Sequence, residues 1–115
     1  MAIIWTGKSD YMADPRERIQ MLAGQLQNVM QQLQTVDTQI REIQATINAL
    51  EVQDDSRPVY RQIGPLLLEV EDRIVLKEEL ESSMKTLSEH LQKIQQSEIE
   101  IRELYEQAVN SFESK

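Results

Sequence analysis

Apolar residues at alternating spacings of three and four constrain this chain more than any other feature. Over residues 19–50, ten aliphatic residues follow this spacing without a break. They are Ile19, Leu22, Leu26, Val29, Leu33, Val36, Ile40, Ile43, Ile47 and Leu50. The pattern predicts a coiled-coil helix. Asp14 can cap its start and Pro15 suits the first helical position, so we predict a helix over about residues 15–52.

A second stripe with the same spacing occupies the last third of the chain. Its ten positions are Leu80, Met84, Leu87, Leu91, Ile94, Glu98, Ile101, Tyr105, Ala108 and Phe112. Nine of the ten are apolar, and Glu98 is expected to weaken the seam locally. With Asp72 as a candidate N-cap, the pattern predicts a second helix over about residues 72–112.

The two stripes have nearly equal length, about 48 Å each at ~1.5 Å per residue. A chain that leaves along one stripe and returns along another of matching length most simply forms an antiparallel pair. We therefore expect Leu50 to lie near Leu80, and Ile19 to lie near Phe112.

The segment between the stripes predicts a β-hairpin. Residues 53–58 have loop composition, Val59–Ile63 and Leu66–Val70 are rich in strand formers, and Gly64-Pro65 is a turn signal. An isolated hairpin is marginal in water, and its open edges can pair with another strand. We expect assembly through the hairpin. The expected fold is mainly α, a long antiparallel two-helix coiled coil with a single β-hairpin between the helices.

We expect two regions along the chain. Residues 1–14 show no periodic spacing of apolar residues and are expected to be a disordered N-terminal tail. Residues 15–115 are expected to form a single domain, with the loop and hairpin at about 53–71. The apolar residues Ile3, Ile4 and Trp5 have two interpretations, a sticky element that helps to bind substrate or an extension without function.

Charge and composition exclude several classes of protein. The chain has 12 Lys and Arg against 20 Asp and Glu, a net charge of −8, which argues against nucleic-acid binding. It has no Cys, and His90 alone cannot build a zinc site, so no metal is expected. No apolar run approaches the roughly 20 residues of a membrane span, so we expect no membrane partner and a cytoplasmic protein. The acidity near the hairpin favours solubility over selection of a basic partner.

Catalytic chemistry is also not expected. Asp54-Asp55 and Glu78-Glu79 are adjacent acids in a loop and on a solvated helix, and Ser82-Ser83 has no general base nearby. A Gly-rich phosphate loop is missing from the sequence, so ATP use is not expected. We predict that the protein is not an enzyme and needs no cofactor.

The hairpin segment resembles that of the β-class subunits of prefoldin. These show a Val-Tyr pair, a Gly four residues after the Tyr and then an aliphatic strand, here Val59-Tyr60, Gly64 and Leu66 to Leu68. The Gln-rich first helix and the Leu- and Glu-rich opening of the second, Leu76 to Leu80, are also similar to this family. The resemblance covers about residues 15–112, and a single hairpin indicates the β class.

This resemblance implies an ATP-independent holdase chaperone. In the family, two α-class and four β-class subunits join their hairpins into β-barrels, so the implied partners are α-class prefoldin subunits and further copies of this chain. The tips of the coiled coils hold unfolded client proteins and pass them to a group II chaperonin. The residues expected to take part in oligomerisation are Val59, Tyr60, Ile63, Gly64, Leu66, Leu67, Leu68 and Val70. Tyr60 and Gly64 also have a structural interpretation, in which Tyr60 packs the hairpin and Gly64 permits a turn or bulge.

Client binding needs apolar surface that the partner helix does not cover, and the free end of the coiled coil is the candidate. Met21 and Leu104 lie beside the stripes, and flexible Met suits promiscuous contact. The candidate residues are Ile19, Met21, Leu22, Leu26, Ile101, Leu104, Tyr105 and Phe112. Alternatively, those on the stripes are ordinary seam residues, and the chain is a structural coiled-coil scaffold subunit without chaperone activity. The hairpin argues against this alternative, because a tether needs only a tight loop between its helices.

Overall fold

The computed structural model describes residues 14–114 and confirms the expected fold class. In chain order it has helix α1 (Pro15–Val52), strand β1 (Tyr60–Ile63), strand β2 (Leu66–Glu69) and helix α2 (Arg73–Glu113). The expected tail, with Ile3, Ile4 and Trp5, lies outside the described residues except for Asp14. No helix within residues 14–114 is long and apolar enough to cross a membrane.

Both helices begin at an aspartate that caps them. The N–H of Arg16 donates to Asp14 Oδ1 at 2.9 Å. In α2 the N–H groups of Ile74 and Val75 donate to Asp72 Oδ1 at 2.9 and 3.2 Å. Each carboxylate therefore satisfies N–H groups that have no partner within the helix, which fixes where the helix starts.

The chain divides into two compact units. Unit 1 contains the described residues 14–33 and 93–114, the beginning of α1 and the end of α2. In it, Leu22 and Ile94 are buried, and the Arg16 guanidinium lies 5.8 Å from the centroid of the Phe112 ring. Since Arg16 is in the first turn of α1 and Phe112 in the last turn of α2, the two helix segments of this unit run antiparallel.

The register in unit 1 follows from that contact. In an antiparallel pair, residue numbers rise along one helix and fall along the other, so the numbers of two residues at the same level have a constant sum. For Arg16 and Phe112 this sum is 128. Leu26 is then level with Ile101, and Val29 with Glu98. Glu98 is half-buried in the seam, where its Oε1 lies 3.5 Å from Arg102 Nε. The charge in the seam is therefore paired within its own helix.

Unit 2 contains Gln34–Gln92, the rest of both helices and the hairpin. Val36 and Ile47 are buried in its part of the seam. Lys77 Nζ lies 2.8 Å from Glu51 Oε1 and joins the start of α2 to the end of α1. The hydrogen bond to the Glu51 carboxylate raises the pKa of Lys77, because it stabilises the ammonium form.

The hairpin is a two-stranded antiparallel sheet with a two-residue turn. Ile63 pairs with Leu66 next to the turn, and Tyr60 pairs with Glu69 at the other end. The Val70 N–H donates to the Val59 carbonyl at 2.8 Å, which extends the ladder by one pair. Gly64 has φ +58°, whereas a proline at the next position has its φ fixed near −65°. A positive φ at the first turn position alone is the pattern of a type II′ turn.

Replacing either of two glycines with alanine is expected to change stability in opposite directions. Gly24 lies inside α1, and a Cβ there would meet nothing within 4 Å, so Gly24→Ala is expected to stabilise the chain by about 0.5–1 kcal/mol. Gly64→Ala also has open space but forces a Cβ into the left-handed region, so we expect a loss of about 1–2 kcal/mol. Urea unfolding of both variants, followed by circular dichroism, measures the difference. Stabilisation by Gly64→Ala would contradict the turn assignment.

Candidate functional sites on the hairpin and the helix ends

The hairpin exposes apolar side chains that a folded protein normally buries. All eight residues of β1 and β2 are exposed. Leu67 is 68% exposed, and Tyr60, Ile63, Leu66 and Leu68 are each about half exposed or more. Three consecutive exposed leucines on a two-stranded sheet form an apolar patch of the kind that marks a contact surface.

The register divides this patch between two faces, because paired residues of neighbouring strands share a face. The first face carries Arg61 with Leu68 and Ile63 with Leu66. The second face carries Tyr60 with Glu69 and Gln62 with Leu67. The first face is therefore the more apolar of the two.

The first face is turned towards the start of α2. Arg61 Nη1 lies 3.3 Å from Glu79 Oε2, which ties β1 to the second turn of that helix. An open groove of about 340 Å³ lies here, and Ile63, Leu68 and Val75 contribute to its lining. The ion pair thus joins this face of the hairpin to α2 but leaves the face uncovered.

Arg73 holds the loop before the hairpin against α2. Its Nη2 donates to the carbonyl of Asp54 at 3.2 Å and to the carbonyl of Arg57. Its Nη1 lies 3.8 Å from Asp55 Oδ1. Within the same loop, the Ser56 N–H donates to Asp54 Oδ1 at 3.0 Å, and this hydrogen bond lowers the pKa of Asp54. Three loop residues are therefore fixed by one side chain at the base of the hairpin.

Sequence reasoning missed three exposed apolar residues next to the hairpin. Val52 ends α1, and Ile74 and Val75 lie in the first turn of α2. The heptad spacing could have identified two of them. If it is continued from Leu80 towards the start of α2, Arg73 and Lys77 fall on the seam, and Ile74 and Val75 fall beside it.

At the helix ends, the eight candidate client-binding residues fall into two groups. Met21 and Leu104 are exposed beside the seam, and Phe112 is 39% exposed under Arg16. The seam holds the other five, which are half-buried except Leu22 at 4% exposure. The members of this group are Ile19, Leu22, Leu26, Ile101 and Tyr105. Among these eight candidates, Met21, Leu104 and Phe112 therefore offer substantial apolar surface while the seam is closed.

Comparisons with known proteins agree with this geometry. The family model described as "Prefoldin subunit" matches residues 16–114. The prefoldin subunit beta of Thermoplasma acidophilum is 28% identical over 69 residues, which cover 60% of this chain. The chain spans about half the length of that curated relative, 56%.

Two crystal structures share the fold. The prefoldin beta subunit from Thermococcus strain KS-1 superposes with a TM-score of 0.77 and 23% identity, covering 87% of both chains. The prefoldin beta2 subunit from the same strain gives a TM-score of 0.71 and 22% identity, covering 80% of this chain and 97% of the other.

The match of nearly the whole chain identifies its family. The protein belongs to the prefoldin family of subunits, and the predicted resemblance to the β class is confirmed. Prefoldin is a chaperone family and not a family of enzymes.

Arg73 is predicted to stabilise the base of the hairpin. Arg73→Met removes the hydrogen bonds to the Asp54 and Arg57 carbonyls, and we expect a loss of about 1.5–3 kcal/mol, the usual range for hydrogen bonds of a charged group. The control is Arg41→Met, which removes an exposed pair with Asp37 on α1 and is expected to change little. Both are measured by urea unfolding. Equal stabilities of the two variants would show that Arg73 does not hold the loop.

Proposed function

We propose that this chain is the β-class subunit of an ATP-independent holdase chaperone. It assembles through its hairpin into a hetero-oligomer and captures non-native polypeptides at the ends of its coiled coil. The observation that carries this proposal is a hairpin whose strand residues are all exposed, although they include Tyr60, Ile63 and three leucines.

Assembly through the hairpin is supported by the unsatisfied edges of the sheet. In the described part of the chain β1 and β2 pair only with each other, so each strand has one edge with free backbone groups. Pairing with a neighbour's strand would satisfy these groups and bury the leucines. The proposed interface residues are Val59, Tyr60, Ile63, Gly64, Leu66, Leu67, Leu68 and Val70. The proposed partners are two α-class subunits and three further copies of this chain.

Client capture is supported by the apolar surface at the helix ends. Exposed Met21, Leu104 and Phe112 make the first contact, each contributing up to ~1.5–3 kcal/mol on full burial. The seam residues Ile19, Leu22, Leu26, Ile101 and Tyr105 become available where the helices separate. The charge of Glu98 and the small side chain of Ala108 favour such separation. Weak contacts at several subunits together give avidity, and each contact stays reversible.

The same proposal places the protein in the cytoplasm, where it hands clients to a group II chaperonin. No ATP is required, because capture and release depend on weak apolar contacts alone.

Native mass spectrometry of this chain mixed with an α-class prefoldin subunit from the same organism tests the assembly. A hexamer of two partners and four copies of this chain is expected. A homodimer that ignores the partner would favour the alternative, a structural coiled-coil scaffold subunit.

Two lysines on the hairpin should abolish assembly. Leu67 and Leu68 lie on opposite faces of the sheet, so Leu67→Lys with Leu68→Lys puts one charge on each face. Whichever face is covered on assembly would then bury a charge. We expect loss of the oligomer in native mass spectra and unchanged helical circular dichroism. Gln31→Lys with Gln92→Lys adds the same charge at exposed helix positions and should assemble normally. If the hairpin variant assembles as well as this control, the hairpin is not the interface.

Removing the exposed apolar residues at the helix ends should weaken client capture. Met21→Ser with Leu104→Ser and Phe112→Ser is expected to raise the concentration needed to suppress aggregation of a denatured protein at least about tenfold, which corresponds to ~1.4 kcal/mol. The oligomer should form normally. Gln20→Ser with Gln107→Ser and Asn110→Ser is the control, because these exposed residues at the same level are polar. Undiminished suppression by the first variant would refute the assignment.

A further inference from the structure

A second apolar surface in unit 1 has no role in the proposal above. Ala23 and Met30 follow the seam residues Leu22 and Val29, and Val109 follows the seam residue Ala108. In an antiparallel coiled coil these positions lie on the same side of both helices. Ile99 lies ten residues before Val109 on this side of α2, and it is level with Met30. We call these four residues the Met30 flank. Met21 and Leu104 lie on the opposite side of the coil.

The Met30 flank exposes more apolar surface than the coil needs. Met30 is 56% exposed and Ile99 38%, while Ala23 and Val109 are half-buried. Two charged residues, Arg102 and Glu106, lie between them on α2, and the Arg102 guanidinium is drawn towards Glu98. The aliphatic stem of Arg102 therefore extends the apolar surface.

We propose that the N-terminal segment of the same chain, Ile3 to Trp5, binds the Met30 flank. This segment has three consecutive large apolar residues, and it is joined to Asp14 at the start of α1, the helix that carries Ala23 and Met30. The contact is intramolecular and goes beyond the proposed function.

The length of the connecting chain permits the contact. Trp5 precedes Asp14 by nine residues (14 − 5), which can span up to about 30 Å. Met30 follows Asp14 by sixteen residues (30 − 14), about 24 Å of helix at ~1.5 Å per residue. Trp5 therefore reaches every residue of the flank. Because the contact is intramolecular, it needs less affinity than the same contact between separate molecules.

Charge favours the same placement. The segment carries Lys8 between Trp5 and Asp14, and Glu106 and Glu113 lie on the same side of α2 as Ile99. Lys8 precedes Asp14 by six residues (14 − 8), enough chain to reach either carboxylate. Arg16, in the first turn of α1, lies on the same side as Met30 and can form an ion pair with Asp10.

Trp5 is the only tryptophan of the chain, so its fluorescence reports the contact directly. In the full-length chain we expect emission at a shorter wavelength than in a synthetic peptide of residues 1–13. The acrylamide quenching constant should be less than half that of the peptide. Met30→Ser with Ile99→Ser should return both values to those of the peptide. The matched control, Met21→Ser with Leu104→Ser, should leave them unchanged.

Three outcomes would overturn the proposal. They are a full-length chain whose Trp5 is as exposed as in the peptide, equal changes in both double variants, and a blue shift that disappears on dilution. The last would assign the contact to a second copy. Should the Met30 variant lose helical circular dichroism, Lys8→Glu tests the same contact without altering the coil. It should increase the quenching of Trp5, and an unchanged value would contradict the docked segment.

Discussion

The seam between the two helices is the interaction on which the rest of the structure depends. In unit 1 it buries Leu22 and Ile94, and in unit 2 Val36 and Ile47, and every other seam residue except Phe112 is half-buried. Two helices can cover only one stripe of each other, so such a seam has no second layer of side chains above it. Every further apolar residue, on the hairpin or beside the seam, therefore remains in contact with water until another chain or segment covers it. The exposed surface is thus a consequence of the architecture.

The sequence predicted the elements well because their signals are local and redundant. Ten aliphatic residues at heptad spacing, with Asp14 and Pro15 before them, all favour the same helix, and Gly64 with Pro65 favours the same turn. The single hairpin between two equal stripes also carried the resemblance to prefoldin, which the family match confirmed. The bounds of the strands were less certain, because Val59 and Val70 continue the ladder by one hydrogen bond but lie outside both strands.

Contacts between distant residues were not predictable in the same way. Arg61 and Glu79, or Arg73 and the carbonyl of Arg57, are joined only after the hairpin has turned back onto α2. The composition gave no reason to choose these partners among many charged residues. Met30 and Ile99 were predictable in principle, since the heptad places both beside the seam. How exposed a residue beside the seam is depends on the packing of the neighbouring helix, which the sequence does not show.

The two exposed surfaces differ in how firmly they are held, and this difference suits two kinds of binding. The hairpin leucines are fixed in register by strand pairing, the Arg61–Glu79 ion pair joins their strands to α2, and Arg73 fixes the loop before them. A surface ordered in advance pays little entropy on association and favours one complementary partner. Met21 and Leu104 project from single helices and are exposed, and the unbranched side chain of Met21 is flexible. Such residues can adapt to many apolar sequences but hold each one weakly. The same thin seam thus leaves exposed both the surface proposed for assembly and the surface proposed for client capture.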